Sequence, residues 1–237
     1  MVQTSNRQQR RRHAAIEEIK ATARRQIAEN GATSLSLGAI ARAMGMTPPA
    51  LYRYFENRNA LVVALILDAY NSLGEAMEKA VMDLPQGDCS GQFLALMRAY
   101  RQWAFEHPAE YAIMYGAPAA EFSDEQHQQF QQAVMRSMRT MVQTLRAAHA
   151  ADRLIIPNQY DDPPSSVRRA LGWMQSVLQD EAIPLGVLAL TLMTWIHADG
   201  FVWQELHGHL PKALFGAGDL YEMESHALAG RLGLTAW

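Results

Sequence analysis

The chain has 237 residues, 49% hydrophobic and 19% charged, a globular composition long enough for one large domain or a small one beside a larger one. No run approaches eighteen consecutive apolar residues, the arginine-rich N-terminus has no apolar segment after it, and Cys89 stands alone; a membrane span, a secretory signal and an intrachain disulfide are not expected, and a reducing cytoplasm is. The net charge of −3 is uneven: residues 1–61 hold ten Lys/Arg against four Asp/Glu, net +6, and the remainder holds 11 against 20, net −9, as when only the head of a protein meets phosphates.

In chain order, Ile16, Ile19, Ala23 and Ile27 recur at spacings of three and four and predict an amphipathic helix over about 8–29, stopped by Asn30-Gly31. Ser36 is an N-cap for a short helix carrying Leu37, Ile40, Ala41 and Met44 on one face, ended by Gly45. Thr47 is a second N-cap, with Pro48 at the first helical position and Leu51, Tyr52 and Phe55 following. Asn57 or Asn59 caps a long helix running through Val81. Further helices are expected over about 91–106, 109–114, 124–150, 166–179, 185–208 and 219–231, separated by turns and loops rich in Pro and Gly. No strand alternation or internal repeat is visible, so the fold expected is all-α.

The two short helices joined by Met44-Gly45-Met46 form a helix-turn-helix pattern, two helices linked by a tight glycine turn. The second would enter the major groove by its N-terminal end. Proline costs little in a first turn, whose N–H groups have no intrahelical partner, so Pro48 and Pro49 stiffen an apolar tip able to press on thymine methyl groups. Tyr52, Tyr54 and Arg58 can bond phosphate oxygens, and Arg53 can grip guanine with two hydrogen bonds. A tyrosine pair alone is a packing feature; basic charge, glycine turn, caps and an aromatic–arginine helix together point to DNA.

The stretch LSLGAIARAMGMTPPALYRYFENRNAL resembles the N-terminal DNA-binding domain of the TetR family of one-component transcriptional regulators. Gly45-Met46-Thr47, Leu51-Tyr52, Tyr54-Phe55, Asn57-Arg58 and Leu61 carry the match. The resemblance implies phosphate contacts by Tyr52, Tyr54 and Arg58 and base contacts by Thr47, Pro48, Pro49, Ala50 and Arg53, with Ser36 among the DNA-binding residues. Gly38 stands where some members use a long basic side chain of the second helix to touch a base, so less readout is expected from that helix. Arg7, Arg10, Arg11 and Arg12 precede the first predicted helix, as a solubilising tail or as an arm reaching the minor groove; Arg10, Arg11 and Arg12 join the expected DNA-binding residues. HPAEYAIMYG and a late run from Trp195 to Gly200 look like the subgroup named for a Trp-His-Gly motif, with Asp199 in the histidine place.

The domains expected are 1–58, arm and helix-turn-helix, and 59–237, ligand binding and dimerisation. Thirteen methionines suit adaptable apolar surfaces. Most are expected in the core; Trp103, Tyr111, Met114, Tyr115, Met138, Trp173 and Met193 are the candidates for an apolar ligand cavity. The segment from Pro184 is apolar nearly all round, so it is either fully buried or buried by a partner; Val187, Leu190, Trp195, Phe201 and Val202 are the candidates for a two-fold dimer interface that would meet a palindromic operator. An enzyme is not expected. No glutamate has a histidine three residues on, there is no phosphate loop or G-x-S-x-G, and His207-Gly208-His209 reads as a helix end rather than a metal site. The acidic body also argues against a non-specific chromatin-type binder. The sequence thus leads to a cytoplasmic, ligand-responsive homodimeric repressor on double-stranded DNA. A small-molecule effector is expected, and no cofactor, metal or membrane.

Overall fold

The structure, a computed structural model, describes residues 2–116, 122–160, 162–211 and 218–234. The described residues form helices and no strand, as expected. In order they are α1 (Val2–Asn30), α2 (Leu37–Ala43), α3 (Pro48–Tyr52), α4 (Arg58–Val81), α5 (Cys89–Glu106), α6 (Pro108–Gly116), α7 (Asp124–Ala150), α8 (Ser165–Leu178), α9 (Leu185–Leu206) and α10 (Asp219–Arg231). The chain groups into two compact units, residues 1–69 with 107–128, and 70–106 with 129–237.

The first unit is built on α1. Ile19, Ala23 and Ile27 are buried, as their spacing requires, and so are Leu37, Ile40, Leu51, Phe55, Leu61 and Leu65. α1 starts earlier than the periodicity predicts: residues 2–30 form one helix, and Arg7, Arg10, Arg11 and Arg12 lie in it rather than before it. No Pro or Gly interrupts this stretch, and Gln, Arg and Ala favour helix even without a buried stripe. The arginines therefore stand on an exposed basic helical extension rather than a loose arm, and a helix about 10 Å across leaves a minor groove about 6 Å wide to its side chains alone. α6 packs on α1 and on the 3-10 turn Ala32–Ser34. An ion-pair chain ties the unit: Lys20 Nζ lies 2.9 Å from Asp68 Oδ2, Arg24 Nη2 3.0 Å from the same oxygen, and Arg24 Nε 3.1 Å from Glu110 Oε1. The last contact is close but misaligned for a hydrogen bond.

In the second unit α5 buries Phe93, Leu96, Met97, Tyr100 and Trp103, α7 buries Met135, Met138, Met141 and Leu145, and α9 buries Val187, Leu188, Leu190, Ala198 and Val202. α9 packs on α5 and α8, and α10 on α5. At the start of α9 a Cβ on Gly186 would lie 2.7 Å from Ile156 Cγ2, so only glycine permits the approach of the preceding loop. Glu205, 2% exposed, is answered by Arg101, whose Nε donates at 2.9 Å and whose guanidinium lies 4.4 Å from the Phe105 ring centre. Arg98 forks onto Glu222 and fastens α10 to α5, holding that carboxylate below its ordinary pKa chiefly by its hydrogen bonds. α4 and α9 have the length and mean hydropathy of membrane spans (1.3 and 1.5), yet 56% and 50% of those windows are buried inside the protein, as in core helices.

Candidate nucleic-acid interface

The interface is assembled from local chemistry. Ser36 caps α2, its Oγ accepting from the Ala39 N–H at 3.4 Å. α2 ends where Gly45 adopts φ +63°, a conformation costly for any side chain, so that Met46 N–H reaches Ala41 O at 2.8 Å and Gly45 N–H reaches Arg42 O at 3.1 Å. That turn delivers Thr47 to the N-cap position of α3. The Thr47 carbonyl accepts from Ala50 N at 2.9 Å, but its hydroxyl makes no cap bond. Leu51, fully buried, and Phe55 anchor α3 into the core. The opposite surface is open: Thr47, Pro48, Pro49 and Arg53 are exposed, Tyr52 is 51% exposed, and Ala50 and Tyr54 are half-buried. A short helix anchored by Leu51 and Phe55 thus presents methyl and pyrrolidine groups at its tip and phenol and guanidinium groups behind it, the inventory needed for base edges and phosphates.

Arg58 departs from its expected role. Its Nε donates to Leu35 O at 3.0 Å and its Nη2 to Ala32 O at 3.0 Å. It braces the loop before α2 through those two donors while staying half-buried, so it acts as a structural tie whether or not its remaining N–H groups meet a phosphate. Asn57, not Asn59, caps α4: its Oδ1 accepts from Ala60 N at 2.8 Å. Arg12, one of the arginines in the helical extension, has its guanidinium 6.0 Å from the Tyr54 ring centre and so flanks the same surface.

The seven expected cavity residues do not share one environment. Trp103 and Met138 are buried in the second unit, the Trp103 indole N–H donating to Ser72 Oγ at 3.0 Å. Tyr111, Met114 and Tyr115 belong to the first unit, where the two tyrosine rings lie 4.9 Å apart. Trp173 and Met193 are 43% and 41% exposed, facing away from the core. Two grooves of the second unit, about 550 Å³ beside Arg98, Phe105 and Tyr221 and about 400 Å³ beside Met82, Gln92 and Thr144, contain none of the seven. The expected dimer residues move the other way. Val187, Leu190 and Val202 are buried in the core of the protomer, and Phe201 packs edge-to-face on Tyr221 with ring centres 5.3 Å apart. What α8 and α9 expose instead is Val167, Trp173, Met193 and Ile196.

One cluster escaped the sequence reading. Tyr100 donates to Asp199 Oδ1 at 3.0 Å and meets Trp195 edge-on at 5.0 Å, while Tyr70 meets Phe130 edge-on at 5.6 Å. Burial, and then the charge of Asp199, push the Tyr70 hydroxyl up to about 12. The visible signal was an aspartate four residues after Trp195 in an otherwise apolar helix.

Comparison with known proteins agrees with this geometry. Residues 19–65 match the family described as bacterial regulatory proteins, tetR family, and residues 93–228 match the tetracyclin repressor-like C-terminal domain. The chain is 40% identical over 112 residues to the HTH-type transcriptional regulator Rv1816 of Mycobacterium tuberculosis (strain ATCC 25618 / H37Rv), 46% of this chain and 48% of that protein, so it spans about half the length of the curated relatives it matches. The solved structure of the regulatory protein SCO4313 superposes with a TM-score of 0.71 at 30% identity, covering 94% of this chain and 98% of that one. A bacterial regulatory protein in the tetR family from Rhodococcus RHA1 shares the fold alone, with a TM-score of 0.66 at 14% identity over 94% and 98% of the two chains. With helix-turn-helix and C-terminal domain both matched, the chain belongs to the TetR family of DNA-binding transcriptional regulators, which are not enzymes.

Proposed function

We propose that the protein is a cytoplasmic homodimeric repressor, bound to a palindromic operator and released from it by a small, largely apolar effector. DNA binding would lie in residues 1–58, and effector binding and dimerisation in 59–237. The observation that carries the reading is the open face of α3, where Thr47, Pro48, Pro49, Tyr52 and Arg53 are exposed on a helix pinned by Leu51, and where Arg53 pairs with no acid among the described residues. Exposed Trp173, Met193 and Ile196 support a self-association face on α8 and α9, since large apolar groups left in water favour a partner. A two-fold pair would set its recognition helices about 34 Å apart, one turn of DNA. Inside the second unit, Trp103 and Met138 with the Tyr70–Tyr100–Asp199 cluster offer an apolar lining and a few polar anchors.

Release would be a population shift: a ligand preferring protomers whose heads are spaced differently weakens operator binding, and a coupling of about 1–3 kcal/mol gives roughly 5–150-fold release. The test is selection of binding sites from random duplexes, followed by sedimentation of the complex and titration with fractionated metabolite extracts. A palindromic site carrying two protomers and an extract fraction that loosens it are expected. An asymmetric site filled by one protomer, or operator affinity indifferent to every fraction, would overturn the reading.

A further inference from the structure

We propose that Arg42 supplies the base contact from α2 that Gly38 cannot make, so that α2 as well as α3 reads operator sequence. On α2, Leu37, Ile40 and Ala41 are buried, and Ala39, Ile40 and Ala43 line the groove against Thr22 and Gln26 of α1. Gly38 and Arg42, one helical turn apart, occupy the flank turned away from α1.

Helical side chains lean toward the N-terminus of their helix, so Arg42 lies back over residue 38. A Cβ on Gly38 would be 3.8 Å from Arg42 Nη1 and 3.8 Å from Ser36 Oγ. The guanidinium therefore occupies the lane that a side chain at 38 would fill, and glycine keeps the lane open. Three cations around α2 are committed. Arg24 pairs with Asp68 and Glu110, Arg25 donates to Thr22 Oγ1 at 2.8 Å, and Arg58 braces Leu35 and Ala32. Arg42, exposed like Arg53, pairs with no acid among the described residues. Its planar fork matches the O6 and N7 acceptors of guanine in the major groove, a geometry that an ammonium does not reproduce.

The experiment selects an operator from random duplexes with the unaltered protein. It then measures affinity for that duplex, for each single-base change in a half-site and for a scrambled duplex, with circular dichroism on every variant. Arg42→Ala is expected to flatten preference at one base pair per half-site by roughly 5- to 150-fold while binding of the scrambled duplex stays within about twofold. Gly38→Leu, which keeps the charge but fills the lane, is expected to flatten the same base pair. Gly38→Ala, whose added methyl meets the guanidinium at an ordinary contact distance, is expected to leave it intact. A long basic side chain in the lane, in the Gly38→Arg, Arg42→Ala double variant, is expected to restore a preference there. If Arg42→Ala weakens operator and scrambled duplex alike and lowers the salt slope by about one, the residue meets a phosphate and the proposal is overturned. It is equally overturned if no base pair changes, or if Gly38→Leu leaves untouched the base pair that Arg42→Ala flattens.

Discussion

Arg58 bonds the carbonyls of Leu35 and Ala32, 23 and 26 residues earlier in the chain. The arginine's fork satisfies both oxygens at once; a lysine would reach one. Arg58→Ala is therefore expected to lower the stability of the head by about 1–3 kcal/mol, read as a lower urea midpoint, with Arg58→Lys restoring little of it. The salt slope of DNA binding should stay unchanged; a slope reduced by about one would return Arg58 to the phosphates. Arg53→Ala should do the reverse, leaving the urea midpoint within experimental scatter and relaxing one base pair by about 1–3 kcal/mol. Tyr70 makes a pH-dependent contribution. Its hydroxyl ionises near 10 when unfolded and near 12 when folded, because burial and Asp199 disfavour the phenolate. The raised value means this share of stability is fully present below pH 10 and is lost as pH rises through about 12, on the order of 2–3 kcal/mol in all. Tyr221, raised by burial, acts in the same direction. Urea midpoints at pH 9 and pH 11.5 should fall less for Tyr70→Phe than for the unaltered protein; equal falls would show that Asp199 and burial do not act through this hydroxyl.

Among the elements, α2 and α3 were the most legible, because their signals are local: Ser36, Gly45 and Pro48 each fix one backbone position and sit where their chemistry says, and Thr47 holds the N-cap position without its hydroxyl making the cap bond. α9 was legible as a helix and illegible as a surface. A segment apolar nearly all round has no preferred face in sequence, so only packing against α5 and α8 decides that Val187 and Val202 go inward and Ile196 outward. The start of α1 was missed for the opposite reason, since residues 7–14 are polar and exposed and their helix carries no apolar period. The partners of Arg58 lie too far along the chain for any local pattern to announce them. The extension of α1 has a consequence at the same scale. Four arginines between 7 and 12, held on a helix with Arg12 beside Tyr54, form a short basic rod rather than a loose tail. Deleting residues 1–9 should weaken operator and scrambled duplex alike and lower the salt slope in proportion to the number of phosphates left without a cation. Binding and slope both unchanged would make the extension a solubilising segment.

Across the whole molecule, the basic head and acidic body divide the labour: only residues 1–61 carry net positive charge, and the rest, at −9, is repelled by phosphates. A single head of this size offers few groups to a duplex, so tight, specific binding calls for two heads on one site, and that requires a partner surface elsewhere. In the proposed dimer, the exposed Met193 and Ile196 on α9 and Trp173 on α8 would supply the apolar area. Substituting Ile196, 52% exposed, with glutamate should cost the protomer little stability, since the side chain already meets water. The same change should bury a charge in the proposed dimer and drive dissociation. Sedimentation is expected to show a folded monomer whose operator affinity falls to the level of its scrambled-duplex affinity. Val202→Glu serves as the contrast: the residue is fully buried, so that variant should lose helical signal before any question of assembly arises. An Ile196→Glu variant that stays dimeric and binds operator normally would place the two-fold contact on another face, and one that is monomeric yet binds normally would show that a single head suffices.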